Sequence, residues 1–546
     1  MTKDQREGYL PFETQSIIVL AILGVSVTAW ILLAVHRLFF HPLRHHPGPL
    51  VARLSELYNA FHIIKKDEAR NLLDLHDRYG PVVRYGPGRL SIRTPDAVRM
   101  FYTNSRYVRK SDSYRAFPSD PENPSVFASI SKQIHARKRR VIRHGFSNNA
   151  LSMAEGTIKK HVATLARCLE HLEDDHQEGH LADDKEMGLV LGKWSTPKNF
   201  AVWANRYSFD LASDLSLAQS FHTMRFGDRR DFPRIIEENL WAGNVTGSSM
   251  FLLHQLKLKK LMFSALGVSS TKSIDEFVQE MSALRVDEIA NNDQKGDRNL
   301  MNWLMDGVEM TDSATMREVK EQVISLITGA GDTTATAMSA TIYHLLREPE
   351  KLVRLQAEIR STFDSVEEIV QGNKLNSCTY LRACIDEALR MVPPAGSVLR
   401  REVEPCGVTV DGMFVPSGTD VGVPIYAMHH DPNFFPDPFK YHPERWIAGQ
   451  KLIDGTNVTQ EFVARESSVF LPFSAGNRGC IGKPLAYLNL SILFSTLMLK
   501  YDFRLCPDRW VNGRYSGEGS DPHDKYLTED IFTTWKNGPL VEVRAR

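Results

Sequence analysis

The distribution of apolar and polar positions divides the chain unequally. Near the N-terminus lies one unbroken apolar run, Ser16 to Val35 (SIIVLAILGVSVTAWILLAV), without a single charge. A helix of that length rises about 30 Å, the thickness of a bilayer's hydrocarbon core. The run predicts a membrane-spanning helix over 16–35, within an N-terminal segment 1–40. The rival, a cleaved signal peptide, wants a shorter apolar core and a basic start. Here the preceding MTKDQREGYLPFETQ mixes three acidic with two basic residues, so an uncleaved anchor is the expectation. His36, Arg37, Arg44 and Arg53 follow, with no acid before Glu56, a bias that puts the body of the protein in the cytosol. Pro42, Pro47 and Pro49 predict a stiff, extended connector over 41–52.

From residue 53 onward the periodicity is mostly helical, above all between Val162 and Arg390. The stretch Glu321 to Leu346 is apolar almost all round, which predicts a buried helix. Leu381, Cys384, Ile385, Ala388 and Leu389 form a core stripe on a helix starting near Thr379 and stopping at Pro393-Pro394. Strand signals occur early, at Val82–Tyr85 and Leu90–Arg93 around a Gly-Pro-Gly turn, and late, at Gly407–Pro416 around Asp411-Gly412. Leu181 to Asn199 is polar and broken, and reads as a surface loop. Mostly helix with small sheets is an α+β fold rather than a doubly wound one. No Pro/Gly/Ser-rich linker follows Pro49, so 53–546 reads as a single catalytic domain.

Composition narrows the function. With 546 residues, 42% of them hydrophobic, the chain can bury a large core. Lys+Arg and Asp+Glu are equal at 66 each, which offers no argument for nucleic-acid binding. Six sparse cysteines with no C-x-x-C pair make neither a disulfide framework nor a zinc site. Two N-x-T sequons, at Asn244 and Asn457, should stay unmodified if the body is cytosolic.

Four segments carry candidate chemistry. In Phe473-Ser-Ala-Gly-Asn-Arg-Gly-Cys480-Ile-Gly482, glycines let the backbone turn and approach a flat ligand. Backbone N–H groups and a nearby cation favour a thiolate, and Arg478 is placed to pair with a carboxylate or stabilise the loop. A lone cysteine in a Gly-rich turn is ordinarily a structural thiol. In Gly329-Ala-Gly-Asp332-Thr333-Thr334, poor helix formers sit mid-helix, which suggests a distortion with a function. A hydroxyl that captures a backbone carbonyl can bend a helix, and a buried Asp beside a Thr can relay protons; a kinked core helix is the plainer reading. Glu387 and Arg390 share a helical face, which on its own means little. His135, Arg139 and Arg143, spaced by four, line one face of a strongly basic segment that could equally be a nuclear-localisation patch.

The pattern F-x-x-G-x-R-x-C-x-G is matched at every fixed position and resembles the haem-binding loop of the cytochrome P450 family. The other motifs occur in that family's order, and the likeness covers the chain from about residue 41 onward. It implies the mainly α cytochrome P450 fold, with haem b held by the Cys480 thiolate. It makes Asp332 and Thr333 the acid–alcohol pair that delivers protons, with Ala330 where the family usually has a second glycine. It places Glu387, Arg390 and Arg445 in a structural network. It assigns His135, Arg139, Arg401, Phe473 and Arg478 to haem binding, with Arg400 leaving the register at Arg401 ambiguous by one. It points Phe117, Phe127, Ala330, Val398 and Phe532 at the substrate. Segments such as HARKRRVIRHGFS and YAMHHDPNFFPDPFKYHPERW are similar to filamentous-fungal members, many of which tailor secondary metabolites.

The implied enzyme is a membrane-anchored haem-thiolate monooxygenase that inserts one atom of O2 into a hydrophobic small molecule. It would sit in the endoplasmic reticulum membrane as a single-pass protein. The chain has no flavin or nicotinamide fingerprint, so electrons from NADPH would come through a separate NADPH-cytochrome P450 reductase, with cytochrome b5 as an optional second donor. Arg137, Lys138 and Arg140 are available to attract that partner. Alternatives are oxidative phenol coupling or rearrangement at the same haem, and a non-catalytic haem sensor, which would need neither Asp332 nor Thr333.

Overall fold

The computed structural model describes residues 12–104, 106–117, 120, 122–170, 192–227, 229–249, 313–511, 514–515 and 526–546. The N-terminal helix, Phe12–Val35, ends at Val35, where the apolar run ends, and a wider turn, His36–Phe40, continues it. Among the described residues, the apolar stretch long enough to cross a bilayer is Leu20–Phe40, whose side chains are mostly exposed, with Arg37 donating to the Leu54 carbonyl. The connector is not extended. Arg44 N–H donates to the His41 carbonyl at 3.0 Å in a turn, and a short helix, Leu50–Leu54, starts directly after Pro49, where a proline is tolerated. The buried Arg84 guanidinium reaches the carbonyls of Arg37 (3.1 Å) and Leu43 (3.4 Å), tying the connector to the first strand.

That strand, Val82–Gly86, opens a five-stranded sheet. It pairs antiparallel with Arg89–Ile92, which lies parallel to Asp420–Gly422, followed by Arg401–Val403 and Val108–Lys110. The hairpin Val408–Val410/Met413–Val415 turns at Asp411 (φ +48°) and Gly412 (φ +76°), as a tight two-residue turn requires. The predicted loop over 181–199 is partly outside the described residues. Its end, Lys198–Asn199, pairs with the C-terminal strand Leu540–Ala545, which also pairs with Tyr501–Leu505. The Asn244 sequon lies buried in the helix Phe232–Ser249, so burial alone would bar glycosylation there; Asn457 is exposed.

The largest core joins the helices Asn148–Glu170, Phe200–Leu217, Ser313–Arg347, Thr379–Met391 and Lys483–Lys500. The central helix, Ser313–Arg347, packs along Phe200–Leu217, and Gly331 makes that closeness possible. A Cβ there would stand 2.5 Å from the Phe209 ring. The expected distortion is not a break, since the central helix is continuous through Gly329–Thr334. Instead its hydroxyls bond back to carbonyls four residues earlier: Thr333 to Gly329 at 2.5 Å, Thr336 to Asp332 at 3.0 Å, Ser339 to Ala335 at 2.8 Å and Thr341 to Ala337 at 2.7 Å. Each buried hydroxyl thereby satisfies itself locally, and a polar sequence becomes compatible with a buried helix.

Candidate active site

A cavity of about 1040 Å³ lies between the central helix and the loop that precedes Lys483–Lys500. Gly329, Ala330, Thr333 and Thr334 line one side, and Phe473, Gly479, Cys480 and Gly482 the other. The cysteine loop depends on glycine: at Gly476 (φ +64°) a Cβ would stand 2.2 Å from the Tyr102 carbonyl oxygen. Phe473 accepts the Cys480 N–H at 2.8 Å, which closes the loop. Cys480 sits in the interior, yet its side chain is accessible through the cavity. Burial pushes its thiol up from the ordinary value. The Gly482 and Lys483 N–H groups, at the N-terminus of the helix that follows, and the charges of Arg139 and Lys483 oppose that rise. Arg478 is not the cation that acts on the sulfur; its guanidinium donates to the carbonyls of Ser129 (2.6 Å) and Ile130 (3.1 Å).

Around the loop stands a cluster of positive groups. Arg139 donates to the Gly479 carbonyl at 2.8 Å, and His135, one turn earlier on Lys132–Ile142, is buried against the cavity. Burial first, then Arg478, Arg139, Lys110 and Arg401, drives the His135 imidazole down to about 3, so it is neutral at pH 7. Burial, with Arg401 and Arg139 adding and Tyr114 opposing, brings Arg478 down to about 10. Strand alternation points the two arginines to opposite sides. Arg400 turns away to an ion pair with Glu68 at 2.5 Å, whereas Arg401 faces the cationic cluster, its guanidinium 4.9 Å from the centre of the Tyr102 ring. Lys110, unnoticed in the sequence because a lone lysine on a short strand carries no signal, completes the group. It is buried, donates to the Phe127 carbonyl at 2.5 Å, and has its ammonium pKa held well below the ordinary value by burial, Arg401 and Arg478. The charges acting on Lys110 and His135 are all cationic. Buried like charges of this density call for an anion to balance them. A flat group with two carboxylates on one edge and a metal that takes a thiolate fits these residues: Cys480 for the metal, the cationic cluster for the carboxylates, and Gly329 and Gly479 lining the faces.

The other positive residues divide differently from the sequence expectation. Lys138 points inward to the Pro124 carbonyl at 2.6 Å and is not available on the surface. Arg137, paired with Glu318 at 2.8 Å, and Arg140 are exposed.

On the far side of the cavity Phe117, Phe127 and Phe532, with the buried Tyr114, form a ring cluster. Phe117 and Phe532 lie 4.7 Å apart between centres, Phe117 and Phe127 5.6 Å, and Phe127 and Phe532 5.7 Å. Phe532 sits at the tip of the hairpin Thr528–Asp530/Thr534–Lys536 with φ +89°, a conformation a bulky residue adopts only under constraint. The Asp530 side chain accepts its N–H at 3.1 Å and helps to fix it there. Beside it, the buried Thr533 Oγ1, also on the cavity wall, has no hydrogen-bond partner among the described residues. Val398 is not on the cavity wall. It packs with Leu72, Leu75, Val83 and Tyr85 in a small core, and its neighbour Leu399 reaches the cavity instead.

Asp332 and Thr333 also part company. Thr333 faces the cavity, whereas Asp332 is fully buried behind it and pairs with the ammonium of Lys536. Apart from the cavity, Glu387 receives Arg390 Nε and Nη2 (2.9 and 2.8 Å), Arg445 Nε (3.0 Å), the His442 N–H (2.9 Å) and Trp446 Nε1 (3.0 Å). All three charged members are fully buried. Glu466, missed in the sequence, stands 3.5 Å from Arg445 Nη1. That is too far for a hydrogen bond, and neither of its oxygens has a partner among the described residues. Burial outweighs Arg445, and with Glu387 adding, the Glu466 carboxyl is pushed up to about 8 and stays protonated.

Residues 47–520 match the family model described as Cytochrome P450. The chain is 34% identical over 516 residues to the cytochrome P450 monooxygenase poxM of Penicillium oxalicum, covering 94% of this chain and 92% of that one. It is 34% identical over 529 residues to the cytochrome P450 monooxygenase atnE of Emericella nidulans, covering 96% of each. A cytochrome P450 monooxygenase of Alternaria alternata is 30% identical over 518 residues, covering 93% of this chain and 94% of that one.

Proposed function

The chain belongs to the cytochrome P450 family and is a haem-thiolate monooxygenase; from that premise we propose that it oxidises a hydrophobic intermediate of fungal secondary metabolism, with Cys480 holding the haem iron. One observation carries the assignment of the site: Cys480 and Thr333 open onto the same cavity from opposite walls. When bound, haem would activate O2 with two electrons and two protons and return one oxygen atom to the substrate.

The chain's own residues do the rest. Gly482 and Lys483 N–H groups and the charges of Arg139 and Lys483 oppose the burial that raises the Cys480 thiol, and so favour the thiolate that a metal would take. Lys110, Arg139, Arg401, Arg478 and the neutral His135 would hold the haem carboxylates, and Phe473 closes the Cys480 loop by accepting its N–H. Thr333 Oγ1, now donating to the Gly329 carbonyl, is free to accept a hydrogen bond and so to pass a proton into the cavity, with Asp332 as the acid behind it. Glu387, Arg390 and Arg445 fix the fold beside the pocket. Phe117, Phe127, Ala330 and Phe532 exclude water and favour an apolar substrate with aromatic or conjugated character, and Thr533 Oγ1 offers one hydrogen bond to orient it.

The domain reading keeps 53–546 as one catalytic body on an N-terminal anchor, with a connector over 41–52. The span Leu20–Phe40 and the basic residues after it support a single-pass endoplasmic reticulum protein with its body in the cytosol. There it would take NADPH-derived electrons from a reductase, and at times from cytochrome b5. Arg137, Arg140 and Arg143 offer that partner an exposed basic face.

Two experiments test the reading. Cys480→Ala should abolish the thiolate-type carbon monoxide spectrum, and its persistence would overturn the ligand assignment. A metabolite profile with and without this chain should show a precursor lacking one oxygen. A monomer accumulating while a cross-linked dimer disappears would instead establish oxidative coupling at the same site.

A further inference from the structure

Lys536 has no role in the chemistry described so far, yet its position is unusual. Its ammonium is wholly buried, and it meets two carboxylates on different helices: Asp332 of the central helix, at hydrogen-bond distance to Oδ1, and Glu237 of Phe232–Ser249, at 3.5 Å. It also approaches the Asp332 carbonyl at 3.3 Å. Asn205, on the neighbouring helix Phe200–Leu217, donates to Glu237 Oε1 at 3.0 Å. The groups acting on Glu237 are Asn205, Asp332 and Lys536, each from a different element, with Glu238 and its partner Arg234 outward on its own helix. Two carboxylates and one ammonium leave one negative charge uncompensated in the interior, which a single proton would remove. Burial pushes the Glu237 carboxyl up to about 7, with Lys536 opposing and the Asp332 charge adding. The remaining oxygen of Asp332, Oδ2, is buried without a hydrogen-bond partner. Of the three side chains only Glu237 keeps accessible surface, at 10%, against 0% for Lys536 and Asp332.

We propose that Glu237 and Lys536 form a relay that reloads Asp332 with protons. The inference rests on the reading of Asp332 as the acid behind Thr333. The step balances within the protein. The Lys536 ammonium gives a proton to Asp332 Oδ1 and takes one from the Glu237 carboxylic acid, so Glu237 becomes a carboxylate, Asp332 becomes an acid, and Lys536 ends as it began. Solvent then reprotonates Glu237. Lys536 lies on the strand that carries the Phe532 tip, so the relay and one wall of the substrate cavity share a single hairpin.

The decisive variant is Lys536→Arg. An arginine preserves the charge that holds both carboxylates but does not release its proton near neutrality. Each variant is first shown to give the wild-type carbon monoxide spectrum, which reports a folded haem site. Infrared difference titration of the holoenzyme in H2O and D2O should show a Glu237 carboxyl ionising near neutral pH, beside the raised carboxyls of Glu466 and Asp530. Glu237→Gln should abolish that band, and Asp332→Asn should move it to lower pH. Returned to a deletion strain, Glu237→Gln and Lys536→Arg should each cut product formation by about tenfold or more, with reductase-driven oxygen uptake diverted to peroxide. A Glu237→Gln titration with the same near-neutral carboxyl bands as wild type, none of them lost, overturns the proposal. So does wild-type product from Glu237→Gln or Lys536→Arg alongside a defective Asp332→Asn, an outcome that leaves the role of Asp332 intact. Wild-type product from Asp332→Asn removes the role of Asp332, and the relay with it.

Discussion

Replacing Glu387 with glutamine removes one negative charge and leaves two guanidinium groups facing each other in the interior. Glu387, Arg390 and Arg445 have no accessible side-chain surface. The carboxylate accepts five hydrogen bonds, three from charged nitrogens, whereas a single amide oxygen accepts about two, and the amide NH2 would point at donors. Breaking a buried ion pair by removing one partner costs about 3–5 kcal/mol. The two pairs share one carboxylate, so their losses do not add fully, and about 3–6 kcal/mol is expected in total. Against a typical stability of about 5–15 kcal/mol that is a large fraction. At about 2 °C per kcal/mol for a large domain, the thermal midpoint should fall by ~6 °C or more.

The assay is thermal unfolding of the haem-loaded protein at fixed concentration, read by circular dichroism at pH 7 and again in acid. Burial alone would raise the Glu387 pKa, but Arg390 and Arg445 outweigh it and hold the carboxyl below its ordinary 4.5. Its contribution is therefore complete above pH 4.5 and is lost as the pH falls below that value, so the gap between wild type and variant should narrow in acid. A midpoint within a degree or two of wild type at pH 7 would refute the argument that this carboxylate holds the two arginines in place.

Glu466 should show the opposite pH dependence. Its carboxyl is raised from 4.5 to about 8, so the folded protein binds the extra proton across that window and loses stability as the pH climbs through it. Glu466→Gln should match wild type near pH 5 and exceed it near pH 9 in the same melting experiment; parallel curves would remove the buried neutral acid from the account. Gly331→Ala places a methyl 2.5 Å from the Phe209 ring and should cost about 1–3 kcal/mol through overpacking. Gly329→Ala, with no protein atom within 4 Å of its Cβ, should leave the melting point of the haem-free protein unchanged or raise it. Equal melting points for the two alanine variants would show that Gly331 does not set the spacing of the helices.

What the sequence revealed and what it hid follow from distance along the chain. The cysteine loop is legible because its glycines, cation and thiol lie within ten residues. Glu387 and Arg390 are legible because one helical turn joins them. Lys536 pairs with Asp332 across 204 positions, and no local pattern could have joined a lysine of a C-terminal strand to the central helix. Lys138 was read as a surface cation because a basic segment looks alike on all sides until a neighbour, here Pro124, buries one of them. Val398 and Leu399, like Arg400 and Arg401, are alike by type; alternation along an extended backbone decides which of each pair turns toward the site, Leu399 to the cavity wall and Arg401 to the cationic cluster beside it, and that register is fixed by partners elsewhere.

The grip of Arg84 on the connector has a practical corollary for anyone trimming the protein to a soluble form. The usual wish is to delete everything before the catalytic body. A chain begun at residue 44 would take away the Arg37 and Leu43 carbonyls and leave the guanidinium of Arg84, which has no accessible surface, with only the Pro87 carbonyl (2.7 and 3.1 Å). A cut between Val35 and His36 discards most of the apolar span and keeps both carbonyls, so a few residues of greasy stub are the better starting point for crystals than a clean edge.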